Sequence, residues 1–163
     1  MEEGGQMKFR FAERKDAAKI LFFIKELAEY EKMSECVVAT EAELEAQIFD
    51  KKNAEVIFAL SDDGVEVGFA LFFTTFSTFL AKPGIHLEDL YVLPEHRGRG
   101  FGRGLLCELA KICKERDCKR LEWTCLNWNT PSLEFYCSLG AEIMDEWSLL
   151  RLSGEELTRL SEE

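Results

Sequence analysis

From residue 97 to residue 104 the chain reads Arg-Gly-Arg-Gly-Phe-Gly-Arg-Gly, a glycine at every second position, and it then runs into apolar residues at helical spacing. Such a stretch carries too little side chain to pack as an element of its own, and glycine adopts positive φ readily, so it reads as a loop. The residues before it, 85–93, read as a strand. Those after it, 105–116, place Leu105, Leu106, Leu109, Ile112 and Cys113 on one helical face. Strand, glycine loop and helix together form the α/β unit in which backbone N–H groups converge on an anion at a helix N-terminus. Arginine adds forked donors that match phosphate oxygens. The segment is expected to cradle a pyrophosphate.

The charge balance makes that local chemistry stand out. The chain has a formal net charge of −11 and a pI near 4.8, yet residues 94–104 carry three arginines against Glu95 alone. An acidic surface argues against nucleic acid, whose backbone needs a broad basic face, and its field steers a cationic second substrate inward. With 163 residues, 47% of them hydrophobic, one domain spanning 1–163 with its core in 7–152 is expected. No apolar run reaches the roughly 18 residues of a membrane span, and residues 1–6 are too acidic and polar for a signal peptide. A cytoplasmic protein is expected. Cys36, Cys107, Cys113, Cys118, Cys125 and Cys137 form no C-x-x-C pair and read as reduced, mostly buried thiols, with no metal site.

Elsewhere the two periodicities alternate. Residues 7–12 read as a strand with Phe9 and Phe11 on one face, 13–16 as the lead-in to a helix over 17–30, and Ala17, Ile20, Leu21, Ile24, Leu27 and Ala28 as its apolar stripe. Thr40 and Glu43 make a capping box for a second helix through about Phe49. Strands are expected over 56–60 and 66–75, joined by an Asp-Gly turn, then a loop over 76–84 and the strand 85–93. After the helix 105–116, a strand over 121–126 completes a parallel crossover. A short helix follows from Asn129 or Thr130 through Pro131 to Leu139, stopped by Gly140, then one or two strands over 142–152 and a helical turn or two over 154–160.

Four blocks in this order carry a closer likeness: Ile24-Lys25-Glu26-Leu27-Ala28-Glu29-Tyr30-Glu31, Leu87-Glu88-Asp89-Leu90-Tyr91-Val92, Trp128-Asn129-Thr130-Pro131-Ser132, and Phe135-Tyr136 before Leu139-Gly140-Ala141. With Arg97-x-x-Gly100-x-Gly102 as an acyl-CoA loop, the chain resembles the GNAT superfamily of acetyl-CoA-dependent N-acetyltransferases, and within it the spermidine/spermine (diamine) N-acetyltransferase group. The likeness runs from about residue 7 to 152. It implies an α/β GNAT fold: a mixed central sheet of about six to seven strands flanked by helices, with parallel strands splayed at the acetyl-CoA site. It further implies acetyl-CoA as cosubstrate, a small cationic amine as acceptor, and a homodimer. Leu90, Tyr91 and Val92, then Arg97, Gly98, Arg99, Gly100, Phe101, Gly102 and Arg103, and finally Asn129 and Ser132, are the cofactor-binding residues it implies. Tyr30, Glu31, Glu88 and Asp89 are the substrate-binding ones. Tyr136 stands as general acid and Glu88 as general base.

These roles fit the chemistry. An amine of pKa ~10.4 is only about 0.1% neutral near pH 7.5, so its deprotonation accounts for about 4 kcal/mol of the barrier. A carboxylate such as Glu88 accepts that proton through water, with His86, on its face in a regular strand, as relay partner. A bulge would separate those two. The Tyr136 phenol, protonated at neutral pH, can donate to the departing thiolate. By pattern alone, Glu88 and Asp89 read equally as solvent-facing strand residues, Tyr136 as packing, Tyr30 and Glu31 as an unremarkable helix end, and His96 as a surface loop residue.

Two departures from the diamine group bear on the substrate. Ser77-Thr78-Phe79-Leu80 replaces its acidic and tryptophan residues, and Cys137-Ser138 replaces the basic residues that follow its tyrosine. The expected acceptor is a polyamine, a diamine or a lysine-like amino acid such as thialysine, and the first departure disfavours long polyamines and opens the site to thialysine, another diamine or a different small amine. A protein-directed acetyltransferase of the same superfamily and a non-catalytic acyl-CoA-binding module are the competing readings.

Overall fold

The computed structural model describes residues 7–163. The signal-peptide reading of residues 1–6 therefore lies outside the described residues. The chain divides into two compact units between Thr124 and Cys125.

In the first unit, β1 (Lys8–Phe11), β2 (Glu55–Leu60), β3 (Glu66–Ser77), β4 (Lys82–Val92) and β5 (Leu121–Trp123) form a five-stranded sheet in sequence order. The first three pairings are antiparallel and β4–β5 is parallel. The Asp-Gly turn joins β2 to β3 with Gly64 at φ 80° and Ser61 N–H donating to the Val65 carbonyl. Helix α1 (Ala17–Tyr30) buries Ala17, Ile20, Phe23 and Ala28. Ile20 and Phe23 meet Val56, Phe58, Phe69, Leu71 and Tyr91 on one sheet face, where the Phe23 and Phe69 rings stack at 5.2 Å. Phe23, one turn on from Ile20, is absent from the stripe read in the sequence, and it is fully buried. Thr40 and Glu43 do close a capping box at α2 (Glu41–Leu44), which continues as the π-helical turn Glu45–Asp50 and sends Ile48 into the same core. The opposite sheet face is covered by α3 (Phe101–Glu115), whose Leu105, Leu106, Leu109, Ile112 and Cys113 are the buried side chains expected.

Outside that core the structure corrects the sequence reading in several places. The expected loop 76–84 shrinks to residues 78–81, because β3 and β4 continue their ladder to Ser77 opposite Lys82. The expected helix at Leu105 begins at Phe101, so half of the glycine run is its first turn. The thiols are not mostly buried: Cys36, Cys107 and Cys137 are exposed, and Cys113 is the buried one.

The second unit contains α4 (Thr130–Ser138) and α5 (Gly154–Ser161). Gly140, at φ 92°, ends α4 by donating to the Cys137 carbonyl. Residues 142–152 form no strand, contrary to expectation. Their apolar residues Ile143, Met144, Trp147, Leu149, Leu150 and Leu152 do not alternate, and all are exposed. The sheet therefore has five strands rather than six or seven.

Candidate active site

The site is built around an irregularity in β4. Leu87 pairs with Phe72 and Asp89 with Leu71, leaving Glu88 as the extra residue of a β-bulge. A bulge shifts the side-chain phase by one residue. His86 and Leu87 keep the register of the strand's first half, and Asp89 joins Tyr91 on the face covered by α1. The parallel ladder to β5 ends at the same point, with Leu87 opposite Trp123. From Glu88 to Val92, β4 therefore pairs with β3 alone among the described residues, and its other edge carries no ladder. The ladder ends at the place where the resemblance implied splayed parallel strands, because β5 stops at Trp123 rather than running to Leu126.

The bulge gathers carboxylates. Asp89 is half-buried, and burial, the Glu88 charge and the Glu31 charge, in that order, push its carboxyl up from the ordinary 3.8 to about 6. Glu31 caps the C-terminal end of α1 and burial raises its carboxyl too. Glu88 is the open member, its side chain 55% exposed. Despite the bulge, His86 Nε2 lies 3.5 Å from Glu88 Oε2, while the His86 ring stacks on Phe73 at 5.0 Å. Tyr30, Glu31, Glu88 and Asp89, predicted as the amine side, are thus brought to one end of the first unit.

The loop after β4 has the geometry of an anion cradle. Gly98 and Gly100 take φ of 73° and 87°, values that L side chains rarely adopt, and Gly100 is the N-cap of α3. The first turn of α3 presents the N–H groups of Phe101, Gly102 and Arg103 and its positive dipole end there, while Gly104 N–H closes the first helical bond to the Gly100 carbonyl at 2.8 Å. Gly104 is needed for packing: a Cβ on it would sit 2.6 Å from Phe9 Cζ and 3.1 Å from Met7 Sδ, side chains from the start of the chain that back the loop. Arg99 and Arg103 are exposed and have no side-chain partner among the described residues. These features fit the pyrophosphate of an acyl-CoA, and Leu90 and Val92, half-buried on the open strand, lead into them.

Arg97 behaves differently from its neighbours. Its Nε donates to the Val92 carbonyl at 2.9 Å, and its guanidinium lies 5.2 Å from the Tyr30 ring centre and 5.1 Å from that of Tyr91. Burial pushes the Tyr91 phenol up, and Arg97 partly offsets it. His96, read as a surface residue, is half-buried against the edge of Phe101 at 6.2 Å.

In the second unit, Asn129 is buried at the N-cap of α4, its carbonyl accepting from Leu133 N–H, and Ser132 is half-buried in the first turn. Tyr136 is half-buried beside Phe135, their ring centres 5.3 Å apart.

The sequence model described as the acetyltransferase (GNAT) family matches residues 22–141. The chain is 34% identical to the thialysine N-epsilon-acetyltransferase of Bos taurus, covering 93% of this chain and 95% of that protein. It is 40% identical to the L-ornithine N5-acetyltransferase of Arabidopsis thaliana over 59% of this chain and 42% of that protein. Among solved structures, an integron cassette protein from the mobile metagenome of V. cholerae matches with a TM-score of 0.82 at 27% identity, covering 98% of this chain and 100% of that one. A family match over most of the length, joined to a relative one-third identical along nearly the whole chain, establishes that this protein belongs to the GNAT family of acetyltransferases.

Proposed function

We propose that the protein transfers an acetyl group from acetyl-CoA to the side-chain primary amine of a small, lysine-like amino acid, with thialysine and related diamino acids as the acceptor class. The observation that carries this reading is the bulge at Glu88, which sets Glu88 and Asp89 beside Glu31 where β4 loses its parallel neighbour. Three carboxylates there attract an ammonium group and hold it against the open strand edge. The turn at residues 78–81 adds no acid for a longer polyamine. The named relatives that act on thialysine and ornithine support the same acceptor class.

Each residue then has a task. Asp89 and Glu31 orient the ammonium group, and Glu88, open to solvent and next to His86, takes its proton through water. The N–H groups of Gly98–Gly102 and the side chains of Arg99 and Arg103 hold the phosphates, and the backbone of Leu90–Val92 lines the acyl arm. Asn129 and Ser132 add contacts to the cofactor. Acetyl-CoA supplies an activated thioester, and the Tyr136 phenol donates a proton to the thiolate that leaves. A cytoplasmic homodimer completes this reading, with the exposed apolar side chains of residues 143–152 as the surface that a second copy covers.

The test is a panel of amines with acetyl-CoA, read by free thiol release: thialysine, lysine, ornithine, putrescine, spermidine and lysine-containing peptides. Turnover led by the free diamino acids supports the proposal, and turnover confined to peptides overturns it.

A further inference from the structure

Arg97 opens the glycine loop, and by sequence it is one more arginine for the phosphates. Its surroundings say otherwise. Leu93 N–H donates to the Val67 carbonyl on β3, so strand alternation turns the Val92 carbonyl toward the side that β3 does not occupy. Arg97 Nε takes that carbonyl at 2.9 Å. With Nε fixed, the planar guanidinium lies over both Tyr30, the last residue of α1, and Tyr91, the penultimate residue of β4, whose ring centres are 6.5 Å apart. A planar, weakly hydrated cation facing two neighbouring aromatic rings is a favourable arrangement that a lysine cannot reproduce, because lysine has neither the fork nor the Nε–H. Arg99 and Arg103, in contrast, have no side-chain partner among the described residues, so the loop retains two arginines for an anion.

We propose that Arg97 is a positioning residue rather than a phosphate ligand: it ties the C-terminal end of α1, bearing Tyr30 and Glu31, to the end of β4 at Tyr91 and Val92. The tie gives the amine side and the acyl-donor side of the site one shared geometry. It rests on the reading above in taking Tyr30 and Glu31 as the amine side. Losing it lets the α1 end move relative to Asp89, so the acceptor amine is the ligand that suffers.

Two measurements test this. In steady-state kinetics, Arg97→Lys and Arg97→Gln both raise the amine KM about tenfold and leave the acetyl-CoA dissociation constant within twofold, whereas Arg99→Gln weakens acetyl-CoA at least fivefold. Thermal melts of each variant check that it is folded. An Arg97→Lys enzyme that keeps the wild-type amine KM, or that loses acetyl-CoA affinity as Arg99→Gln does, overturns the proposal. The second measurement needs no acceptor, so it stands even if every amine in the panel fails. In the wild-type protein, the Arg97 Nε–Hε resonance is ring-shifted upfield and slow to exchange, and it stays so when acetyl-CoA is added. A resonance at the free-arginine position, or one that moves to the phosphate-bound region on addition of acetyl-CoA, shows that Arg97 serves the anion and refutes the tie.

Discussion

Replacing Asp89 by asparagine is expected to make the protein more stable and less active. The Asp89 carboxyl is raised from 3.8 to about 6 by burial and by its two acidic neighbours, so its ionised form is disfavoured in the folded chain. A raised carboxyl means that the native state binds the proton more tightly than the unfolded state does. Its ionisation thus costs stability at pH values above about 6, and the cost fades as pH falls from 6 toward 3.8. The full difference of about two units corresponds to roughly 3 kcal/mol at pH 7.5, and about half of that remains at pH 5. Asparagine keeps the shape and removes the charge. Asp89→Asn should therefore gain roughly 1–3 kcal/mol at pH 7.5, a rise of several degrees in melting temperature, with the advantage shrinking steadily toward pH 4. Its kcat/KM for the amine should fall at least tenfold, and the wild-type acid limb near pH 6 should disappear, while acetyl-CoA binding is unchanged. Urea melts across pH 4–8 and pH–rate profiles are the assays. A variant less stable than the parent at pH 7.5, or a stability gap independent of pH, would refute the electrostatic argument.

Three other outcomes are expected. Tyr136→Phe should lower kcat by one to two orders of magnitude with little effect on acetyl-CoA affinity by calorimetry, and unchanged turnover removes the phenol from the mechanism. Gly104→Ala should cost about 1–2 kcal/mol in urea melts, because the new methyl meets Phe9 and Met7 at 2.6 and 3.1 Å, and adding Phe9→Leu should recover most of the loss. Arg10 bonds both oxygens of Asp16 at 2.7 and 3.0 Å and Glu66 at 2.5 Å, beside the Phe58 ring. Arg10→Ala should cost about 2–3 kcal/mol at pH 7, and the difference should shrink below pH 4 as Asp16 and Glu66, whose carboxyls Arg10 holds below their usual range, become protonated.

Much of the first unit could be read from local pattern. The α1 span, the Thr40–Glu43 box, the Asp-Gly turn and the glycine turn ahead of α3 each depend on residues adjacent in sequence, where propensity and capping act without help from the rest of the fold. The bulge also left a trace: apolar residues fall at Ile85 and Leu87 and then at Leu90 and Val92, a slip of one in the strand's period. No glycine marks the site of that slip, and only the facing residues Leu71 and Phe72 show that Glu88 absorbs it. The apolar stretch 142–152 went the other way, since β-prone residues form a strand only where a neighbour offers a ladder, and none does in its unit.

An α/β chain with a glycine-rich turn ahead of a helix was already written in the sequence, because glycine spacing, helix caps and apolar periodicity are local properties, and the four motif blocks carried its likeness to the acetyltransferase family. Which side chains gather around Glu88 was decided by tertiary structure. Asp89 becomes a raised carboxyl through burial and the charges of Glu88 and Glu31, and Arg97 bonds the Val92 carbonyl and lies over Tyr30 and Tyr91. Burial and charge pairing depend on distance in space, and residues 30, 91 and 97 meet only once helix and sheet have packed.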